Sequence, residues 1–266
     1  MHSPDSTMFP PDSYVLRPPT VFKPEDRICM EAATFAMRSA ESALHSIRDI
    51  TVKHDVERED FSEIAMITLH ACSWIVVDQI HALRQLLRTL KIHEEHFSGI
   101  FFKRYEAATL MRNAMDHLKD QVGNLARAKK PRPTISGVLS YFKYVGVRPD
   151  TANGHYGKVF IVPFGHFLQK QHNFPGVNPA GKRFRRDTTD LFMFSAFDWR
   201  LEIYELFDDL PTLANELERT AQTAVALAVS KGDIVPGPDG KLHMEQPARA
   251  VIWSDVDFGV ITSSAS

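Results

Sequence analysis

Between Ile64 and Val77 the chain is apolar at nearly every angle of a helical wheel, interrupted only by Thr68, His70 and Ser73. A helix with no polar side must be covered by several neighbours, so this segment calls for a bundle built around it. The run is too short and too interrupted to read as a membrane span by itself. It predicts a second helix over about Phe61 to Leu90, and the rest of the chain supplies neighbours for it. From Pro24 to Arg58, Ile28, Ala32, Phe35, Ala36, Ser39, Ala43, Ile47 and Ile50 recur three or four apart, which predicts a first helix. Pro24 before the acidic pair Glu25 and Asp26 suits its start.

A third helix is predicted over Phe97 to Ala128, after the connecting patch His93-Glu94-Glu95-His96. Its main stripe is Phe101, Tyr105, Ala108, Met111, Met115, Leu118, Val122 and Leu125. A thinner seam of Ala107, Leu110, Ala114 and Gln121 lies on the other side. Two seams imply two packing partners, one of them within the bundle or across a subunit interface. A last helix is predicted over Leu210 to Ser230, capped by Asp209, with Leu213, Leu217, Ala221, Ala224, Val225 and Ala228 inward.

Between Pro133 and Ile203 the period changes. Ile135–Val147, Lys158–Phe164 and Leu191–Ile203 are short, aromatic and β-branched, and turn residues separate them. The expected fold class is therefore mainly α with a β insert (α+β), a four-helix bundle carrying a small antiparallel sheet between its third and fourth helices. Six of the sixteen prolines fall in residues 1–24, which reads as an extended or disordered arm. The bundle occupies 25–232 with the insert at about 134–203. Pro238-Asp239-Gly240 suggests a hairpin in the segment 233–266. No basic-then-apolar leader pattern opens the chain. Two cysteines, Cys29 and Cys72, are too few for a disulfide framework, so a soluble cytoplasmic protein without a membrane partner is expected.

The chemistry is concentrated in Arg112-Asn113-Ala114-Met115-Asp116-His117. An arginine stays protonated and grips phosphate oxygens through two donors, and a histidine near its ordinary pKa transfers protons around neutral pH. On a straight helix Arg112 and His117 diverge by about 140°. Asn113 with His117, and Arg112 with Asp116, are the pairs that share a face. On these residues the chain resembles the HEPN superfamily, helical-bundle proteins of toxin, abortive-infection and RNA-processing systems. The family signature is an arginine, a polar residue and a histidine four to six positions after the arginine.

The resemblance covers roughly residues 25–130 and the last helix. It implies a metal-independent endoribonuclease with no cofactor, in which His117 moves a proton, Arg112 binds phosphate and Asn113 positions. It also implies a cleft shared by a homodimer through the third helix, and leaves an antitoxin or other protein partner unidentified. The alternative is a non-catalytic binding or scaffold module in which the motif is structural: Arg112 covers the core stripe with its stem and pairs with Asp116, and His117 is simply solvated.

Asp78 falls on the packed side of the second helix, where an ionised carboxylate needs a partner; Arg112 and His81 are in reach. Asp78 and Asp116 thus stand as supporting residues. A metal site of Asp78, His81 and His117 is not expected, because the repeated Glu-x-x-His of di-iron bundles is missing. The net charge of −2 hides two basic loops that could contact RNA. One includes Lys129, Lys130 and Arg132. The other is Lys182, Arg183, Phe184, Arg185 and Arg186, with Phe184 available for stacking.

Overall fold

A computed structural model describes residues 8–54, 61–92, 96–127, 136–147, 155–164 and 191–233. Its helices are α1 (Pro24–Lys53), α2 (Glu63–Thr89), α3 (His96–Arg104), α4 (Glu106–Asp116), α5 (Leu118–Ala126) and α6 (Leu206–Ser230). Its strands are β1 (Val138–Val147), β2 (His155–Pro163), β3 (Leu191–Ala196) and β4 (Trp199–Leu201). The protein is mainly helical with a small antiparallel sheet inserted between α5 and α6.

The long pair α1–α2 is the frame. Ala33, Ala36, Ala40 and Ala43 of α1 are buried, and small side chains let the two backbones approach, while Met37, Leu44 and Ile47 fill the flanks. The predicted stripe is therefore rotated: Ile28 and Phe35 are 65% and 68% exposed. Bulk drew the expectation to the wrong side, whereas the close contact is made by alanines. Helix α2 is likewise buried on one side rather than all round. Leu69, Val76, Val77, Ile80, Leu83 and Leu87 enter the core, and Ile64, Ile67 and Ile75 remain exposed. At 27 residues, α2 is by length and composition alone apolar enough to cross a membrane, contrary to the reading of its apolar run alone.

The third predicted helix is three helices. Its first break is at Tyr105 (φ −104°, ψ 22°) and its second at His117 (φ −104°, ψ 36°). Neither is marked by proline or glycine. At the first break, Arg104 and Tyr105 both donate to Oδ2 of Asp209, at 2.5 and 2.6 Å. Consecutive side chains on a helix point about 100° apart, and the long Arg104 stem swings its guanidinium round to the oxygen that the Tyr105 hydroxyl meets. Asp209 is not the cap of α6 but a buried residue within its first turn. Burial and the Asp209 carboxylate push the Tyr105 hydroxyl far above its ordinary pKa, so it remains a donor.

Two further acids of α6 act at a distance. Buried Glu216 accepts the Ser98 backbone N–H at 2.9 Å, satisfying a donor in the first turn of α3. Glu218 accepts the Ser13 hydroxyl at 2.6 Å and the backbone N–H groups of Tyr14 and Val15 at 3.1 and 3.3 Å. Residues 8–23 are consequently a packed strap of turns rather than an extended or disordered arm. Phe9 and Val15 are buried, and the Arg38 guanidinium lies 6.0 Å from the Phe9 ring. On α6, Leu213, Leu217, Ala221 and Val225 point inward as expected, but Ala224 is exposed.

The sheet has the order β2-β1-β3-β4, all neighbours antiparallel. Its central strand β1 is buried from Val138 to Phe142. Three contacts seat it on the helices. Trp74 of α2 donates to the Ser136 carbonyl at 3.1 Å and packs edge-on against Phe194. The Tyr141 hydroxyl meets Nδ1 of His54, the residue ending α1, at 2.8 Å. Lys143 donates to the Val52 and His54 carbonyls, capping α1 with a cation where its dipole is negative. Gly137 adopts φ 86°, and a Cβ there would meet the Phe194 ring at 2.4 Å. Between β3 and β4, Phe197 holds φ 54°, a region costly for a bulky residue, while its ring is buried beside Trp74 and Trp199. The expected hairpin at 238–240 lies outside the described residues.

Asp209→Ala leaves two donors at the α3–α4 joint without their acceptor and is expected to lower unfolding free energy by about 3 kcal/mol. Tyr105→Phe should cost about 1 kcal/mol. Urea titration followed by far-UV circular dichroism measures both, and equal midpoints for wild type and Asp209→Ala would remove the joint from its central place.

Candidate functional site

The antiparallel seam between α2 and α4 carries two facing files of polar and charged side chains. In an otherwise apolar helix, Asp78, His81, Arg84 and Arg88 recur three or four residues apart, so they line one side of α2. Helix α4 answers with Glu106, Thr109, Arg112 and Asp116 at the same spacing.

At the lower end, Arg112 Nε lies 3.1 Å from Asp78 Oδ1, and its Nη1 donates to Asp116 Oδ1 one turn along α4. Asp78 and Arg112 pair as expected, but not in the packed interior: the Asp78 side chain is 49% exposed. The register of α4 set at Tyr105 brings this pair to the rim of the seam. Partial burial raises the Asp78 carboxyl above the ordinary carboxylate range, and Arg112 and His81 pull it back down. Two contacts occupy two of the five guanidinium N–H donors, leaving the others for a further acceptor.

Asn113 is exposed on α4. His117 is exposed at the break that ends α4; its backbone N–H donates to the Asn113 carbonyl at 3.2 Å, and its carbonyl accepts from Asp120 and Gln121. Among the described residues the His117 ring has no hydrogen-bond or ionic partner. The break also resets the helical phase, so Leu118 and Val122 of α5 face outward rather than extending the core stripe. Of the second seam, Ala114 is buried, and Ala107, Leu110 and Gln121 are half-buried.

Midway up the seam, His81 Nδ1 lies 3.3 Å from the Thr109 hydroxyl, which also receives Nη1 of Arg84. Arg84 is buried, and Nη1 reaches the Glu106 carbonyl at 3.4 Å. Its guanidinium carbon sits 5.4 Å from the Phe102 ring centroid, and that of Arg88 sits 5.3 Å from the same ring. Burial first, then the guanidinium groups of Arg112 and Arg84, holds His81 below its ordinary pKa. Asp78 and His81 are thus engaged with Arg112 and Thr109. Among the described residues, no three His, Cys, Asp or Glu side chains converge as metal ligands do. The basic residues Lys129, Lys130, Arg132, Lys182, Arg183, Arg185 and Arg186, with Phe184, lie outside the described residues.

Sequence reasoning found Asp78, Arg112 and Asp116 and missed Thr109, Arg84, Arg88 and Phe102. The signal was the polar file at 78, 81, 84 and 88 in the most apolar helix of the chain. No protein-family model, curated protein or solved structure matches the chain.

The depressed histidines give the seam a pH dependence of definite sign. Below the ordinary value of about 6.5 the unfolded chain binds protons that His81, and His70 lowered mainly by burial, resist in the fold. The unfolded state then carries the excess protons, so stability falls as pH falls. The raised carboxyls of Asp78 and Glu41 act oppositely, at and above the ordinary carboxylate range. Urea midpoints should therefore drop between about pH 7.5 and about pH 6, and drop less in His81→Gln. An undiminished drop in that variant would show that His81 is not held neutral.

Proposed function

We propose that the end of α4 is the reacting centre of a HEPN-like, metal-independent endoribonuclease of a defence or stress system, acting in the cytoplasm. The observation that supports this reading is an exposed His117, without a side-chain partner among the described residues, at the end of the helix that carries Arg112, itself held at the rim by Asp78 and Asp116. In such a reaction the ribose 2′-hydroxyl attacks the neighbouring phosphorus. The attacking oxygen loses its proton, the 5′-oxygen leaves and gains one, and a 2′,3′-cyclic phosphate remains. His117 is assigned to proton transfer. The unspent donors of Arg112 face the negative charge that builds on the phosphoryl oxygens. Asn113, on the same face as His117 one turn earlier, positions the ribose or the imidazole.

A second copy is part of the proposal. Arg112 and His117 lie on opposite sides of the α4 break, beside the outward-facing Leu118 and Val122 of α5. Pairing through this surface would cover those side chains and bring two motifs to one cleft, a four-helix contribution from each copy being the bundle that the resemblance implies. A protein that cleaves RNA while strictly monomeric at micromolar concentration would rule out the shared cleft.

The second reading, a non-catalytic binding module, is favoured by the two carboxylates on Arg112, which neutralise the group that should meet phosphate. Incubation of mixed RNA in EDTA separates the two. The enzyme reading expects cleavage that persists under chelation and falls by about a hundredfold or more in His117→Ala. No cleavage by either protein would leave the binding module. Asp78→Ala should cost under about 1 kcal/mol of stability, as exposed pairs do, while altering cleavage by freeing Arg112. A change in urea midpoint with unchanged cleavage would make Asp78 purely structural.

A further inference from the structure

Four arginines stand along the α2–α4 seam and the joint of α3 with α6, and their partners divide them in two. Arg104 meets Asp209 and Glu205, and Arg112 meets Asp78 and Asp116. Arg84 and Arg88 meet no carboxylate among the described residues. Their hydrogen bonds go to neutral oxygens: the Thr109 hydroxyl and Glu106 carbonyl for Arg84, and the Gln85 amide, at 3.3 Å, for Arg88. The Nε of Arg84 is buried with no acceptor among the described residues.

This is an unfavourable arrangement for a protein alone. Like charges four apart on a helix repel, and both guanidinium groups lie against the one ring of Phe102. Cation–π attraction offsets part of the cost but neutralises nothing. Arg84 is 4% exposed, so its charge is poorly screened, and Arg88, at the solvent end, is the member an incoming anion can touch. The mutual effect is visible in Arg84, lowered by burial and then by Arg88. Toward Asp78 the same seam holds two carboxylates paired with one arginine; toward Arg88 its one acid is Glu106, whose carboxylate partly offsets the Arg84 charge without an ion pair to either arginine among the described residues.

We propose that Arg84 and Arg88, braced on Phe102, bind a phosphodiester of an RNA strand that runs along the α2–α4 seam to the Arg112–His117 end. Arg88 donates to the phosphate oxygens, and Arg84 supplies the second positive charge from behind the ring. Ten residues of α2 separate Asp78 from Arg88, about 15 Å along the helix. An extended strand covers that distance in a few nucleotides, so the phosphate held here flanks the one that reacts. The inference rests on the RNA reading above and moves the binding of the substrate strand away from the neutralised Arg112.

The test uses the full chain and a fluorescent 2′-deoxy oligonucleotide, which lacks the attacking hydroxyl and so reports binding apart from cleavage. Anisotropy titrations over a range of salt should show Arg88→Ala binding about tenfold more weakly. The slope of log affinity against log salt should become shallower by about 0.7, the value for one lost phosphate contact on a single strand. Arg88→Glu should lose more, while Arg219→Glu, the same charge change on an exposed position of α6, should retain the wild-type slope. Arg88 is exposed, so these variants do not depend on repacking the core. Wild-type affinity and slope in Arg88→Ala would overturn the proposal, even if the protein cleaves RNA. No binding by the wild type would overturn it as well. Inorganic phosphate that displaces the oligonucleotide at equal concentration would assign the pair to free phosphate and overturn the strand. Binding with the predicted slopes and no cleavage of RNA would retain this site and remove the catalytic reading alone.

Discussion

The Asp209 carboxylate is the constraint on which the placement of everything else turns. It is buried and accepts from two consecutive side chains at the joint between α3 and α4. The break at Tyr105 sets the angle at which α4 starts, and α4 then runs back along α2 with Glu106, Thr109, Arg112 and Asp116 facing the seam. Phe101, Tyr105, Ala108 and Met111 stay buried on one side across this joint, so the core stripe runs on while the polar file of α4 meets Asp78. A single acid on a helix more than a hundred residues away in the chain thus anchors the joint from which α4 runs.

The overall class was legible in the sequence because it depends on period. Long runs at helical spacing, a switch to short aromatic and β-branched runs after Pro133, and a return to helical spacing before Ser230 are local signals, and each element formed where its period placed it. The strand order was not legible, since any antiparallel arrangement satisfies the same alternation. The faces were legible only where size and burial agree. On α1 they disagree: alanines make the close contact and Phe35 is outside. Breaks at Tyr105 and His117 had no local mark, because the first is imposed by Asp209, and residues 8–23 read as disordered because the partner that orders them is Glu218. In the candidate site, the Asp78–Arg112 and Arg112–Asp116 pairs could be read from spacing and the cost of a lone charge. The Arg84–Phe102–Arg88 stack could not, since it needs the α3–α4 joint before Phe102 can reach α2.

Charge along the α2–α4 seam follows a gradient that the total of −2 conceals. Asp78 and Asp116 cluster with Arg112 at one end, a His81–Thr109 contact sits in the middle, and Arg84 and Arg88, beside the single acid Glu106 and with no ion pair among the described residues, occupy the other end. Such a gradient orients a polyanion as well as attracting it, because the strand gains most by lying with its backbone over the basic end and its reacting bond near the histidine.

The bond from Ser13 to Glu218 spans 205 residues of chain. A ribosome delivers the strap about two hundred residues before its acceptor, so through that stretch of synthesis Phe9 and Val15 have no seat and the amides of Tyr14 and Val15 remain hydrated. The first-made segment of the described fold is therefore among the last to settle, and α6 is what both the α3–α4 joint and the strap must wait for. Contacts of such long sequence separation slow folding, and until α6 emerges the nascent protein exposes the apolar faces of α1 and α3. Glu216, Glu218 and Asp209 lie within ten residues of one another, so a few amino acids of elongation bring both closures within reach together.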